Sequence, residues 1–212
     1  MTKSFKTFLK HAGKDYYNQT VNPPVVRAST LIFKSIEEIR KTQNKSIKDP
    51  VGGHFTYGRE GSSTIFALQK ILRTLEESYQ VFLAPTGFGS VFLAIFSVVR
   101  PGDEILLSDP IYSPTRLLTE NYLKEFNIKA NFYNPNNIND LKNKISKRTK
   151  LIFVENPGSN TFEFQDLSKI ISLAKKNKIF TAMDNTWGTP YYIKPIKLGF
   201  DMSIVAATKY YS

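Results

Sequence analysis

Four short stretches hold residue types able to do chemistry together: TGFGS (86–90), DPIYSPT (109–115), AMDN (182–185) and ATKY (207–210). Each follows an apolar run. In TGFGS the glycines let the backbone approach an oxyanion, and a helix opening there would present unpaired N–H groups and a positive dipole end, so Gly87 and Phe88 are candidates for holding a phosphate. The stretch is neither GxGxxG nor GxxxxGK[ST], so it indicates neither a dinucleotide nor a P-loop nucleotide; a tight strand-to-helix turn would use the same residues. Asp184 ends the run KIFTAMD, where its carboxyl would be desolvated and would either meet a cation or cap the Asp-Asn-Thr turn.

Lys209 follows DMSIVAAT. Read as the end of a buried strand, this position desolvates the amine and lowers its pKa, which makes a nucleophile; at an ordinary strand end the side chain would snorkel to water instead. Tyr112 supplies an aromatic face. A phosphate cradle, a buried acid, an amine and a ring to stack on are the four requirements of pyridoxal 5'-phosphate (PLP): a lysine for its aldehyde, an acid for its ring nitrogen, a flat surface for its ring and N–H donors for its phosphate.

These stretches need a scaffold that brings strand ends together. From Ser62 onward, apolar positions at Ile65, Leu68, Ile71, Leu72 and Leu75 follow the spacing of one helix face. Strand and helix patterns then alternate: YQVFLAPT, SVFLAIFSVV, DEILLSD, PTRLLTENYLKEF, KANFYN, NDLKNKIS, KLIFVEN, DLSKIISLAKKN, KIFTAMDN and DMSIVAAT. Strands separated by helices at this spacing predict an α/β fold with a mostly parallel sheet, whose ligands bind beyond the carboxyl ends of the strands. Residues 1–60 read as an arm, turn-rich around VNPPVVRAST and KDPVGGHFTYGREGS, with one short helix at SIEEIRKTQ; residues 61–212 read as the large domain.

Composition narrows the function classes. With 212 residues and 41% hydrophobic residues the chain can build a sizeable core. It has no cysteine and only His11 and His54, so thiolate sites are excluded and metal chemistry is not expected. The formal charge of +11 raises nucleic-acid binding, yet the lysines are dispersed over helix ends and turns, which predicts a solvated surface without a nucleic-acid partner. The N-terminus lacks a signal-peptide core and no segment has a membrane-spanning apolar run, so a cytoplasmic protein with no membrane partner is expected.

The order VNPPVVRAST, HFTYGREGSST, LAPTGFGS, VRPGDEILLSDPIYSPT, VENPGSNTFEFQDL, MDNTWGTP, DMSIVAATKY resembles the trans-sulfuration (Cys/Met metabolism) family of fold type I PLP-dependent enzymes, and within it the cystathionine β-lyases, over nearly the whole chain. The resemblance implies that Lys209 is the Schiff-base lysine and proton shuttle. It makes Asp184 the partner of the ring nitrogen and Tyr112 the stacking residue that also assists deprotonation of the incoming amine. Gly87, Phe88 and Thr208 would hold the phosphate, Tyr57 and Arg59 would reach a neighbouring subunit's phosphate, and Asn185 and Trp187 would support the site. Ala206 departs from the family, many of whose members have Ser three residues before the lysine; its absence removes about one hydrogen bond, on the order of 0.5–1.5 kcal/mol.

The implied reaction is β-elimination from a small sulfur amino acid, cystathionine giving homocysteine, pyruvate and ammonia. The β-lyase assignment rests chiefly on ENPGSNTFE, where γ-synthase and γ-lyase relatives tend to carry a Thr-Asn-Pro variant. Family members are about twice as long, and beyond the lysine they add a smaller C-terminal domain with the arginine that binds the substrate α-carboxylate. The expectation is therefore an N-terminal half: a fragment of a lyase, one product of a split gene complemented by a C-terminal half, or an inactive remnant. The expected assembly is a homo-oligomer, dimer or tetramer.

Overall fold

A computed structural model describes residues 4–14 and 19–211. The chain divides into two compact units, 1–82 and 83–212. In the first lie α1 (Phe5–His11), α2 (Ile36–Lys48) and α3 (Ser63–Glu76). Both longer helices begin as their sequences require, Ser35 accepting from the Glu38 N–H and Ser62 from the Ile65 N–H. Three side chains of helix α3 tie it into the N-terminal unit. Thr64 Oγ1 donates to the Pro24 carbonyl at 2.8 Å, the Gln69 amide donates to Val81 O at 2.9 Å, and the Arg73 guanidinium donates to Val51 O at 3.3 Å. The helix that opens the alternating pattern in the sequence thus packs with the arm.

The second unit contains α4 (Gly87–Val98), β1 (Glu104–Ser108), α5 (Ser113–Leu117), a π-helical turn over Leu118–Tyr122, α6 (Leu123–Glu125) and β2 (Lys129–Tyr133). These are followed by α7 (Ile138–Lys144), β3 (Thr149–Glu155), α8 (Leu167–Asn177) and β4 (Phe180–Asp184). The short helices α9 (Thr189–Tyr192) and α10 (Pro195–Leu198) precede β5 (Met202–Ile204), and α11 (Ala207–Tyr210) closes the described chain. Among the described residues the five strands form one sheet in the order β2-β1-β3-β4-β5, and every neighbouring pair is parallel.

Period-two alternation sends the strand side chains into two separate cores. Ile105, Leu107, Leu151, Phe153, Ala182 and Ile204 pack on one face against Val91, Ala94 and Ile95 of α4. Leu106, Ile152, Val154 and Met183 pack on the other against Leu141 of α7 and Ile170, Ile171 and Ala174 of α8. The central strands therefore carry continuous apolar runs in their middles, residues 105–107 in β1 and 151–154 in β3, as a sheet covered on both faces demands.

Two sequence expectations are corrected. YQVFLAPT forms no strand: residues 79–86 lie outside the sheet, Phe82 is 77% exposed, and no described strand flanks them to complete a ladder. The strand of DMSIVAAT is short and ends at Ile204, so Thr208 and Lys209 stand on the helical turn α11. No described helix is long and apolar enough to cross a membrane. Phe153 is fully buried in β3; Phe153→Ala is expected to lower the unfolding free energy by about 3–5 kcal/mol with an unchanged denaturant slope, measured by urea titration.

Candidate active site at the carboxyl edge of the sheet

Parallel strands all present their carboxyl ends at one edge, and α4 begins at that same edge. Thr86 caps it, its Oγ1 accepting from the Gly89 N–H at 2.9 Å, which leaves Gly87 and Phe88 at the first two helical positions, where no intrahelical acceptor exists. Gly87 is required by close approach: a Cβ there would stand 2.8 Å from the Ala206 Cβ. The glycine loop thus touches the segment leading to Lys209.

From Ala206 a chain of contacts crosses the sheet edge. The Ala206 N–H donates to Thr186 Oγ1 at 2.9 Å, and the Thr186 N–H donates to Asp184 Oδ1 at 3.0 Å. Asp184, the last residue of β4, is in register with Glu155, the last residue of β3. The Tyr112 N–H donates to Glu155 Oε2 at 2.6 Å, which anchors the loop after β1. Five successive pieces of the edge are joined in this way: the α4 N-terminus, the β5–α11 segment and the ends of β4, β3 and β1.

Asp184 and Glu155 are both buried. Burial raises the Asp184 carboxyl above its ordinary value, against the Thr186 bonds that lower it. Burial and then the Asp184 charge push Glu155 up to about 8, against the opposing bonds from the Tyr112 N–H and Ser159. No salt bridge among the described residues reaches either carboxyl. The Asn185 side-chain oxygen is likewise buried without a described partner, although its amide donates to Ile193 O at 2.9 Å. Such an edge can receive a ligand with a cationic N–H against Asp184 and a phosphate against the Gly87 and Phe88 N–H groups. The residues present therefore fit PLP.

Tyr112, 45% exposed, offers its ring at the start of α5. Lys209 is exposed on α11, its N–H bonded to Ala206 O at 3.1 Å, and Thr208 beside it is also exposed. The burial that the sequence placed on this lysine is absent because β5 ends before it. The Trp187 ring lies 5.1 Å from Phe162 and 6.0 Å from Tyr210, so the loops after β3, β4 and β5 meet in an aromatic cluster next to Lys209 in the chain.

Tyr57 and Arg59 lie in the N-terminal unit, with the Arg59 guanidinium 5.3 Å from the Tyr57 ring centre. Their loop is pinned to residues 28–29: the Gly58 N–H donates to Ser29 O at 2.7 Å, and a Cβ at Gly58 would collide with the Ala28 carbonyl. Glu155 had received no role from the sequence. Its signal was there: an acid directly after the apolar run LIFV, much as Asp184 closes the largely apolar FTAM.

A family model described as Cys/Met metabolism PLP-dependent enzyme matches residues 6–212. The chain is 35% identical over 208 residues to a cystathionine β-lyase of Haemophilus influenzae, covering 96% of this chain and 52% of that protein. It is 32% identical over 212 residues to an L-alanine/L-glutamate racemase of Wolbachia pipientis wMel, covering 97% and 52%. The crystal structure of cystathionine γ-lyase from Lactobacillus plantarum complexed with L-serine matches with a TM-score of 0.82 at 26% identity, covering 95% of this chain and 49% of that one. The chain spans about half the length of the curated relatives it matches.

The buried carboxyls have a stability signature. A Glu155 held protonated in the fold, between its ordinary 4.5 and about 8, means that the folded state binds more protons than the unfolded chain, so stability falls as pH rises through that window. Asp184 acts in the same direction. The cofactor-free chain is expected to lose up to about 1.4 kcal/mol per pH unit from Glu155 between pH 5 and 8, with most of that slope absent in Glu155→Gln. Urea denaturation at a series of pH values checks this; equal slopes in the two proteins would contradict it.

Proposed function

Since the chain belongs to the Cys/Met metabolism PLP-dependent enzyme family, we propose that it is the cofactor-holding half of a carbon–sulfur β-lyase cleaving cystathionine to homocysteine, pyruvate and ammonia. The observation that carries this reading is the unbroken path from the α4 N-terminus through Ala206, Thr186 and Asp184 to Glu155 and Tyr112, with a buried acid lacking a described cation at its middle.

When bound, PLP supplies an electron sink for the negative charge that develops at the substrate α-carbon. Lys209 Nζ would hold the cofactor and, when free, would take the α-proton and deliver it onward. Asp184 would keep a proton on the ring nitrogen, since the same burial that favours its neutral form when alone would strengthen its hold on a cation set against it. The Gly87 and Phe88 N–H groups and the Thr208 hydroxyl would bind the phosphate, and Tyr112 would stack on the ring and accept a proton from the incoming amine. With that sink in place, proton removal by Lys209 would allow the bond from the β-carbon to sulfur to break, the thiol leaving as homocysteine and water releasing the remainder as pyruvate and ammonia.

Tyr57 and Arg59 are assigned to a neighbouring subunit's phosphate, which makes the working form at least a dimer. The arm, together with α3, is assigned to the unit 1–82 and the cofactor site to the unit 83–212. Cystathionine β-lyase relatives support the substrate assignment. The match to a cystathionine γ-lyase structure favours γ-chemistry as the second reading.

The chain incubated with PLP and then reduced with borohydride is expected to carry a pyridoxyl group on the peptide containing Lys209, read by mass spectrometry, and Lys209→Ala is expected to carry none. A folded chain that takes up no label would overturn the cofactor assignment. Supplied with cystathionine, the isolated chain is expected to release no pyruvate; release abolished by Lys209→Ala would show that substrate binding needs nothing beyond these residues.

A further inference from the structure

Glu155 is an expensive residue for the fold to keep. It is 5% exposed, follows the fully buried core run 151–154, and faces a second acid across the β3–β4 register with no described salt bridge to offset either one. An apolar side chain of similar volume would be neutral or better for stability, because a buried acid without a cation costs more than it returns. What the carboxyl does hold is the site: its Oε2 takes the Tyr112 N–H at 2.6 Å, and its own backbone is fixed on both sides. The Glu155 N–H donates to Ser108 Oγ at 3.2 Å, and Gln165 donates to the Glu155 carbonyl at 3.0 Å while its own oxygen accepts from the Tyr133 hydroxyl at 2.7 Å.

We propose that Glu155 is a positioning residue for the cofactor: its buried carboxyl spans the gap between the Tyr112 loop and Asp184, fixing the distance between the stacking ring and the acid that faces the ring nitrogen. This rests on the reading of Tyr112 and Asp184 given above. The role needs an acceptor for the Tyr112 N–H and a polar head of this length beside Asp184. Glutamine supplies both; methionine fills the volume and supplies neither; aspartate keeps the acid and withdraws the head by one methylene.

The test loads the chain with PLP and follows two quantities in each variant: the dissociation constant, from quenching of the single tryptophan, Trp187, and the visible circular dichroism per bound cofactor, which reports how the ring is held. Glu155→Gln is expected to stay within about threefold of the parent affinity and to keep the dichroism. Glu155→Met is expected to fold at least as stably as the parent while binding about tenfold more weakly with altered dichroism, as loss of one buried hydrogen bond at the site implies. Glu155→Asp is expected to weaken binding at least about threefold, and it decides the question if the methionine variant does not fold. Parent-like affinity and dichroism in the methionine variant, or in the aspartate variant should the former not fold, would overturn the proposal. A parent chain that binds no PLP would instead overturn the cofactor assignment on which the proposal stands.

Discussion

Two carboxyl groups lie side by side at the ends of β3 and β4, removed from water and without a described cation. Each is disfavoured as an anion, by burial and, for Glu155, by its neighbour. The surrounding hydrogen bonds from Tyr112 and Thr186 answer only part of that cost. A positively charged ligand group would answer the rest, which makes this pair an electrostatic demand that the polypeptide alone leaves open.

The demand falls at this edge because of chain topology. In a parallel sheet every strand points the same way, so the residues after β1, β3, β4 and β5 gather at one end, and α4 starts there because it precedes β1 on the covering face. The two cores make the edge rigid. Leu107, Phe153 and Ala182 on one face and Ile152, Val154 and Met183 on the other leave the strand ends little freedom, so contacts as small as Gly87 against Ala206 are reproducible features of the fold.

Much of this was legible from residue order. The apolar runs at 104–108, 149–155 and 180–184 give strands where periodicity and length predict them, and TGFGS opens a helix capped by Thr86. The expectation for 79–86 misses because a strand is a property of a pair, and composition cannot say whether a partner stands alongside. Lys209 was read as buried from an apolar approach, DMSIVAAT, in which Ala206 and Ala207 are too small to mark where a strand stops and a helical turn begins. Glu155 carried the same strand-end signature as Asp184, but its meaning lies in the register between two strands and in a hydrogen bond to a backbone 43 positions away (155 − 112).

That register has a consequence for quality control. Asp184 meets Glu155 only if Phe153 lies across from Ala182 and Val154 across from Met183. A slip of one residue would turn every side chain of the strand to the opposite face and pull the acids apart. The pairing that buries the core is also the pairing that sets Glu155 beside Asp184, so a slipped sheet would lose both together. Uptake of a ligand that needs both carboxyls would then report the strand alignment as much as the chemistry of the edge.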